Sequence, residues 1–384
     1  MDRTTGGRQV RVMFLVVSAS MGGAESHALA LAQGLDPRHF DVSLVYLKDE
    51  AESPQAHARV QEGVFVFCLG ADRKLDLAAV RQLNAYANAK EIDIIVCVNP
   101  YPLVYAWMLR LTSKRRVRIV EILHAAAPSP IETWLQVLTL RPLFWMSDFL
   151  VYMGKNQRSY WERHLLTARR TEVVRHGVNV NRVRDDFPVA AKCRFREAHG
   201  FADSDYIVGV CGALRHDCGH AELVAAIHTA RAAGTAVKCL IIGDGPHRRA
   251  LESMVDRLGL QGEVKLTGAL RDGRLAVSCC DVMAVPSRRE AVSLAALESM
   301  ALGKPLIVAN VGNASEFVEH DKNGLLYAQA DVAQLARHIQ HLSDRRRRAA
   351  FGVACLARVH SQFSLAHMVD AYHRIFLDLH PRQG

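Results

Sequence analysis

The densest chemistry in the chain lies in Pro286-Ser287-Arg288-Arg289-Glu290-Ala291-Val292-Ser293-Leu294-Ala295-Ala296-Leu297-Glu298-Ser299-Met300-Ala301-Leu302-Gly303-Lys304-Pro305. This stretch follows a strand-like run, crosses a loop and enters a helix that stops at Gly303, ahead of Pro305. The amides around Val292, Ser293 and Leu294 fall at the helix start, where N–H groups lack intrahelical acceptors. Such a terminus cradles a phosphate. Glu290 lies on the loop and Glu298 about two turns into the helix. Carboxylates cannot hold an anion, but beside one they suit the hydroxyls of a sugar and a ribose, because they are strong acceptors. The plainer alternative is a capped amphipathic helix with two exposed glutamates.

Other groupings are thinner. His124 follows the strand-like run Val117–Leu123, and Gly22 and Gly23 follow the first such run, Val10–Val17. Adjacent glycines let a backbone approach a ligand closely. Gly212-Ala213-Leu214-Arg215-His216-Asp217-Cys218-Gly219-His220 forms a polar loop after Tyr206–Cys211, and Gly243-Asp244-Gly245-Pro246 follows Lys238–Ile242. His216, Cys218 and His220 lie close together, yet no second ligand cluster accompanies them, so no metal is expected. No G-x-G-x-x-G follows either first strand, which argues against a nicotinamide cofactor. Gly303-Lys304-Pro305 lacks the upstream glycine and the hydroxyl of a Walker A loop.

Short apolar runs alternate with helical patterns throughout. In the first half the strand candidates are Val10–Val17, Asp41–Leu47, Val64–Cys68, Ile92–Val98, Val117–Leu123 and Phe149–Met153. In the second half they are Tyr206–Cys211, Lys238–Ile242, Glu263–Thr267, Val282–Val285 and Leu306–Ala309. Continuous apolar strands alternating with helices predict parallel sheets covered on both faces. The alternation occurs twice, with a polar break near Asn179–Asp205. The expected fold is α/β, with two doubly wound Rossmann-like domains facing across a cleft. The domains are placed at 1–184 and 185–362, with a last helix in 363–384 returning to the first. Ligands of such sheets bind outside the carboxyl ends of the strands.

With the elements in place, Pro286 to Pro305 resembles the E-x7-E region of the family 4 retaining glycosyltransferases. Met21-Gly22-Gly23-Ala24-Glu25 resembles that family's N-terminal glycine loop. His176-Gly177-Val178-Asn179 resembles its interdomain NGVD segment, and Ile242-Gly243-Asp244-Gly245-Pro246 its GDGP turn. Val311-Gly312-Asn313-Ala314-Ser315-Glu316 and Asn323-Gly324-Leu325-Leu326 resemble the stretch after the E-x7-E helix. These motifs occur in the family's order.

The resemblance implies a GT-B fold, a nucleotide-sugar donor, retention at the anomeric carbon, and no required metal or other cofactor. It implies that Glu290 contacts the donor sugar and Glu298 the ribose. Amides of Ala291, Val292, Ser293 and Leu294 would bind the diphosphate, and His124 would lie near the reacting sugar. Gly22, Gly23, Gly212, Arg215 and Gly243 would complete the donor site. His124, Glu290 and Arg215 are the catalytic candidates. The acceptor would be a glycan or a lipid-linked sugar in cell-surface polysaccharide synthesis.

The chain departs from the family pattern where charge matters. Ala213 stands where the family has Arg, and Cys218 where it has Lys. Arg215 can supply one charge, but a neutral thiol cannot stabilise a developing diphosphate. Losing one such donor costs roughly 3–4 kcal/mol at the transition state. Arg288, Arg289 and Lys304 are the nearby cations that could compensate. His176 replaces the usual Asn, and Ala291 the usual Gly. The alternative is therefore a catalytically silent relative serving as a binding or scaffold subunit of a glycan-assembly complex. An epimerase acting on a nucleotide sugar is a further rival.

The net charge of +9 gathers in Lys114–Arg118, Arg169-Arg170 and Arg345–Arg348. With aromatics at 7% and none interleaved with these runs, nucleic acid is not an expected partner. Solvated helix faces and loops are the plain reading of the basic runs; Trp134–Trp145, rich in Leu and Trp beside Lys114–Arg118, suits either docking on an anionic membrane or a buried helix pair, and the sequence does not separate the two. No run is apolar for the roughly 18 residues of a spanning helix. Met1–Arg8 is polar and reads as no secretory signal, and the scattered cysteines suit a reducing compartment. The expected location is the cytoplasm, with peripheral contact on the inner face of its membrane.

Overall fold

Strand β4 (Ile94–Val98) is apolar at every position and buried at every position. That pattern forces helices onto both faces of its sheet, because alternate side chains point to opposite sides. A computed structural model describes residues 8–18, 23–48, 64–71, 75–113, 115–125, 131–289 and 293–380. The chain divides into two units. Described residues of the first run through 125, from 131 to 176 and from 365 to 380. Those of the second run from 177 to 364. The chain thus changes unit at His176–Gly177 and again at Ser364–Leu365; the sequence-based division places these changes at 184 and 362.

The first unit holds β1 (Val10–Val16), β2 (Phe40–Tyr46), β3 (Phe65–Cys68), β4, β5 (Arg118–Leu123), β6 (Phe149–Tyr152) and β7 (Thr171–Val173). They form one sheet in the order β3-β2-β1-β4-β5-β6-β7, every pair parallel. The second unit holds β8 (Tyr206–Cys211), β9 (Val237–Ile242), β10 (Val264–Leu266), β11 (Val282–Val285), β12 (Leu306–Ala309) and β13 (Gly324–Tyr327). Their order is β10-β9-β8-β11-β12-β13, again all parallel. Each sheet reverses direction of winding next to its first strand, between β1 and β4 or between β8 and β11. These switch points are where doubly wound folds bind ligands. The edge strands β7 and β13 are not evident as strands from the sequence; they are short, and Thr171–Val173 is only half-buried.

The helix Leu365–Leu379 belongs to the first unit, although it is encoded after the whole of the second. Its apolar face packs on the helix Gly23–Gly34, where a Cβ on Gly34 would sit 2.5 Å from Val369 Cγ2. Phe376 meets Phe14 of β1 and Phe40 of β2 edge-on, at 6.4 and 6.1 Å between ring centres. Arg170 pairs with Asp378 at the far end of the same helix.

Candidate functional site

In the second unit the site residues gather at the carboxyl ends of β8, β9 and β11. The loop after β8 is held by backbone on both sides. Gly212 N donates to Ile242 O, and Leu214 N to Asp244 O. A Cβ on Gly243 would lie 2.0 Å from Gly212 O, and one on Gly245 2.6 Å from Leu214 O. Only glycines allow the two loops to touch this way. At the other end Gly219 is left-handed, at φ +72, and a Cβ there would lie 2.0 Å from Pro286 O. Arg288 N donates to Asp217 O at 2.9 Å, which ties the same loop to the segment that leads into the E-x7-E helix.

That helix runs Leu294–Ala301 and is capped by Ser293, whose hydroxyl accepts from Ala296 N at 3.2 Å. Ser293 is buried and leaves the first amides of the helix to other partners. Glu298 is exposed. Burial first, and the Glu298 carboxylate second, push the Cys211 thiol at the end of β8 up to about 11. Glu298 also acts on Arg274, whose pKa is raised chiefly by its hydrogen bonds to Asp272. Glu298 is therefore within electrostatic reach of the carboxyl end of β8. Gly212, Arg215, Gly243, Ser293, Leu294 and Glu298 are brought to one edge of this sheet. Glu290, Ala291 and Val292 lie outside the described residues, as does Gly22; Gly23 is the exposed first residue of its helix.

Arg215 is well exposed and its Nε lies 3.6 Å from Asp217 Oδ1. Cys218 is raised by burial and by Asp217, so its thiol stays neutral. His220 is buried and is lowered to about 4, first by burial and then by His247. Two of the three expected compensating cations are engaged elsewhere. Arg288 Nε donates to Glu222 Oε1 at 2.8 Å. Lys304 Nζ donates to Ser278 O at 2.8 Å, as a strut inside the fold. Arg289 remains exposed.

In the first unit, His124 follows β5 directly. Its Nδ1 lies 3.3 Å from Ile122 O. A carbonyl only accepts, so Nδ1 carries the proton and Nε2 is left with its lone pair. Nε2 is shielded from solvent and has no hydrogen-bond partner among the described residues. Burial, then His176, lower His124 to about 3, so the ring is uncharged at neutral pH. Beside it stands His27, from the helix Gly23–Gly34, fully buried. Its ring is perpendicular to those of His124, His176 and Tyr372, at 5.0, 4.7 and 5.8 Å.

Sequence reasoning singled out His124 and noted His176 as a departure, but not His27 or Tyr372. The only local signal for His27 is a histidine on the apolar face of a helix, which reads as ordinary core.

Residues 192–353 match the family model described as "Glycosyl transferases group 1", and residues 21–182 match "Glycosyltransferase Family 4". EpsD of Bacillus subtilis (strain 168), named a glycosyltransferase, is 25% identical over 70% of this chain and 71% of its own length. A GDP-mannose-dependent alpha-(1-6)-phosphatidylinositol monomannoside mannosyltransferase of Mycobacterium tuberculosis is 27% identical over 54% of this chain and 56% of its own length. Among solved structures, HepE of Anabaena in complex with UDP superposes with a TM-score of 0.84 at 22% identity, covering 96% of this chain and all of the other. Sucrose-phosphate synthase of Thermosynechococcus elongatus does so at 0.81 and 20% identity, covering 97% and 99%.

Proposed function

Because the chain belongs to the family 4 glycosyltransferases and has the GT-B fold, we propose that it transfers a sugar from a nucleotide-sugar donor to a glycan or lipid-linked acceptor with retention at the anomeric carbon. The observation that carries this reading is the edge of the second sheet, where a Ser293-capped helix start, Glu298 and Arg215 surround the end of β8. The helix-end amides and Arg215 hold the diphosphate without a metal, while Glu298 accepts from the ribose hydroxyls. The bond from the anomeric carbon to the diphosphate breaks, and the acceptor oxygen bonds the same face. Its proton passes to the departing phosphate, so no separate general base is required.

The relatives differ in nucleotide. HepE was solved with UDP and with UDP-glucose, and the mycobacterial relative is named for GDP-mannose. The test is a thermal-shift titration with UDP-, GDP-, ADP- and dTDP-sugars, followed by nucleotide release with and without a crude lipid-linked acceptor. A ligand at 100 times its Kd adds about 2.7 kcal/mol to the folded state. The expected result is a shift with one nucleotide family, lost in Glu298→Ala, and release that depends on acceptor. No shift with any donor overturns the reading.

We also propose peripheral contact with an anionic membrane through the first unit. Ile131, Leu135, Trp145, Met146 and Leu165 are all large, apolar and exposed. Trp145 Nε1 donates to Leu165 O at 2.8 Å, which presents both side chains together, and Arg163 and Arg169 are exposed close by in the chain. The cluster at Lys114–Arg118 is a weaker support, because Arg115 pairs with Glu91 and Arg118 with Asp148. No helix among the described residues is long and apolar enough to cross a membrane. Sedimentation with phosphatidylglycerol vesicles, reduced in a Trp145→Ser/Leu165→Ser variant, is expected; no sedimentation would rule the contact out, and equal partition with neutral vesicles would rule out its dependence on anionic lipid.

A further inference from the structure

His27 is an unusual occupant of a core. It is fully buried, and neither ring nitrogen has a hydrogen-bond partner among the described residues. A leucine or phenylalanine would fill the space without stranding two polar atoms. The ring must therefore be explained by what it touches. It stands at right angles to both His124 and His176, at 5.0 and 4.7 Å, with Tyr372 completing the group at 5.8 Å. Edge-to-face contact is the orientation that aromatic rings favour, with a positive ring edge against an electron-rich face. Among the described residues His124 has one hydrogen-bond anchor, its 3.3 Å contact with Ile122 O, long for a hydrogen bond of this type. A ring held by one long bond can turn over about its Cβ–Cγ axis, which swaps Nδ1 with Cδ2 and Nε2 with Cε1 and so takes Nδ1–H off the Ile122 carbonyl. The perpendicular wall provided by His27 resists that turn.

We infer that His27 is a positioning residue for His124: the ring contact holds the His124 imidazole with Nδ1–H on the Ile122 carbonyl, so that Nε2 is the acceptor offered to a hydroxyl of the bound sugar. The first half of this statement rests on geometry alone, and the second half rests on the proposed function together with the family resemblance, which implies that His124 lies near the reacting sugar. His176 extends the same device. It stands where the family pattern has asparagine, and its ring meets His27 at a right angle, 4.7 Å between centres. Burial and the mutual repulsion of the three imidazoles keep His27 uncharged, so the group acts through shape and ring polarity.

The test is a long-range 1H–15N spectrum of the full-length protein labelled in histidine, with His124 assigned by its loss in His124→Gln. Wild type is expected to show a protonated Nδ1 and an unprotonated Nε2 at His124. His27→Leu, which removes the ring, is expected to give mixed or reversed tautomers at His124. His27→Phe keeps an aromatic edge and is expected to restore the wild-type pattern. In turnover assays His27→Leu should lower kcat about tenfold with the donor KM little changed, the mark of an interaction made in the transition state, and His27→Phe should recover most of it. Should His27→Leu fail to fold, His27→Phe and the wild-type spectrum still decide. An Nε2–H tautomer in the wild type, or a His124 pattern untouched in His27→Leu, overturns the inference and leaves His27 as plain core. If the tautomer moves but His124→Gln turns over normally, His27 does position His124, and the role given to His124 in transfer is what fails.

Discussion

At the carboxyl end of the first sheet, His27, His124, His176 and Tyr372 meet ring to ring, largely away from water. At the carboxyl end of the second, the loop after β8 is clamped between Gly243 and Pro286 by backbone, while Arg215 and Asp217 reach solvent. The strand orders match, so topology does not set this difference. The first end holds neutral groups in place by packing; the second holds its loop in place by backbone contact and leaves the loop's charges exposed. A ring can be steered by its neighbours' faces, whereas an amide is aimed only by its own chain. The two ends should therefore fail differently when altered.

The largest effect is expected at Gly219. Alanine there combines a left-handed backbone with a Cβ at 2.0 Å from Pro286 O, so the loop must move. Gly219→Ala should destabilise the second unit by roughly 3 kcal/mol or more and abolish the donor-induced thermal shift. A full shift in that variant would mean that the clamp does not aim the loop. Next comes Cys218→Lys, which returns a cation to the loop. A rise in kcat of about a hundredfold is expected, corresponding to some 2.7 kcal/mol at the transition state. An unchanged rate would show that Arg215 already suffices.

A third change tests the packed end. Glu121 is fully buried in β5 opposite Cys97, with neither carboxylate oxygen partnered among the described residues. Burial raises it well above 4.5, so it is neutral in the folded state over part of the range where it ionises in the unfolded chain. Its contribution to stability is complete below about 4.5 and is lost as pH rises through the folded value. Glu121→Met should raise stability by about 2 kcal/mol at pH 7, measured by chemical denaturation; a loss would mean the carboxyl has a partner in solution.

The histidines carry the opposite sign. His27 and His124 are lowered on folding from 6.5, so their contribution is present above 6.5 and lost as pH falls, for His124 through about 3. Between pH 7 and 6 the loss is about 0.7 kcal/mol per histidine, the smallest effect here. It should be reduced in His27→Phe; an identical slope in the variant would separate His27 from the acid response.

The sequence revealed the sheets because parallel strands covered on both faces are apolar throughout, as in β4 and β8. It hid β7, where Thr171-Glu172-Val173 offers no apolar run. Motif order singled out Glu298 and Arg215, and the fold brings both to the same edge of the second sheet. Their neighbours were not legible in this way. Charge alone marks Arg288 and Lys304 as candidates for the diphosphate, and only the fold turns them onto Glu222 and the Ser278 carbonyl. His27, His124, His176 and Tyr372 lie far apart in the chain, and no spacing rule joins them.

Finally, the helix Leu365–Leu379 bears on how the protein is made. The sheet of the first unit leaves the ribosome first, but Tyr372 and Phe376, which finish its core, are translated after residue 364. The described residues of the second unit form one continuous stretch, 177–364, all of it earlier in the chain. Domains fold as units during synthesis, so the order of completion is the reverse of the order of emergence. Until its last helix arrives, the first unit must wait with an open flank on β1 and β2, a nascent state that a chaperone would meet.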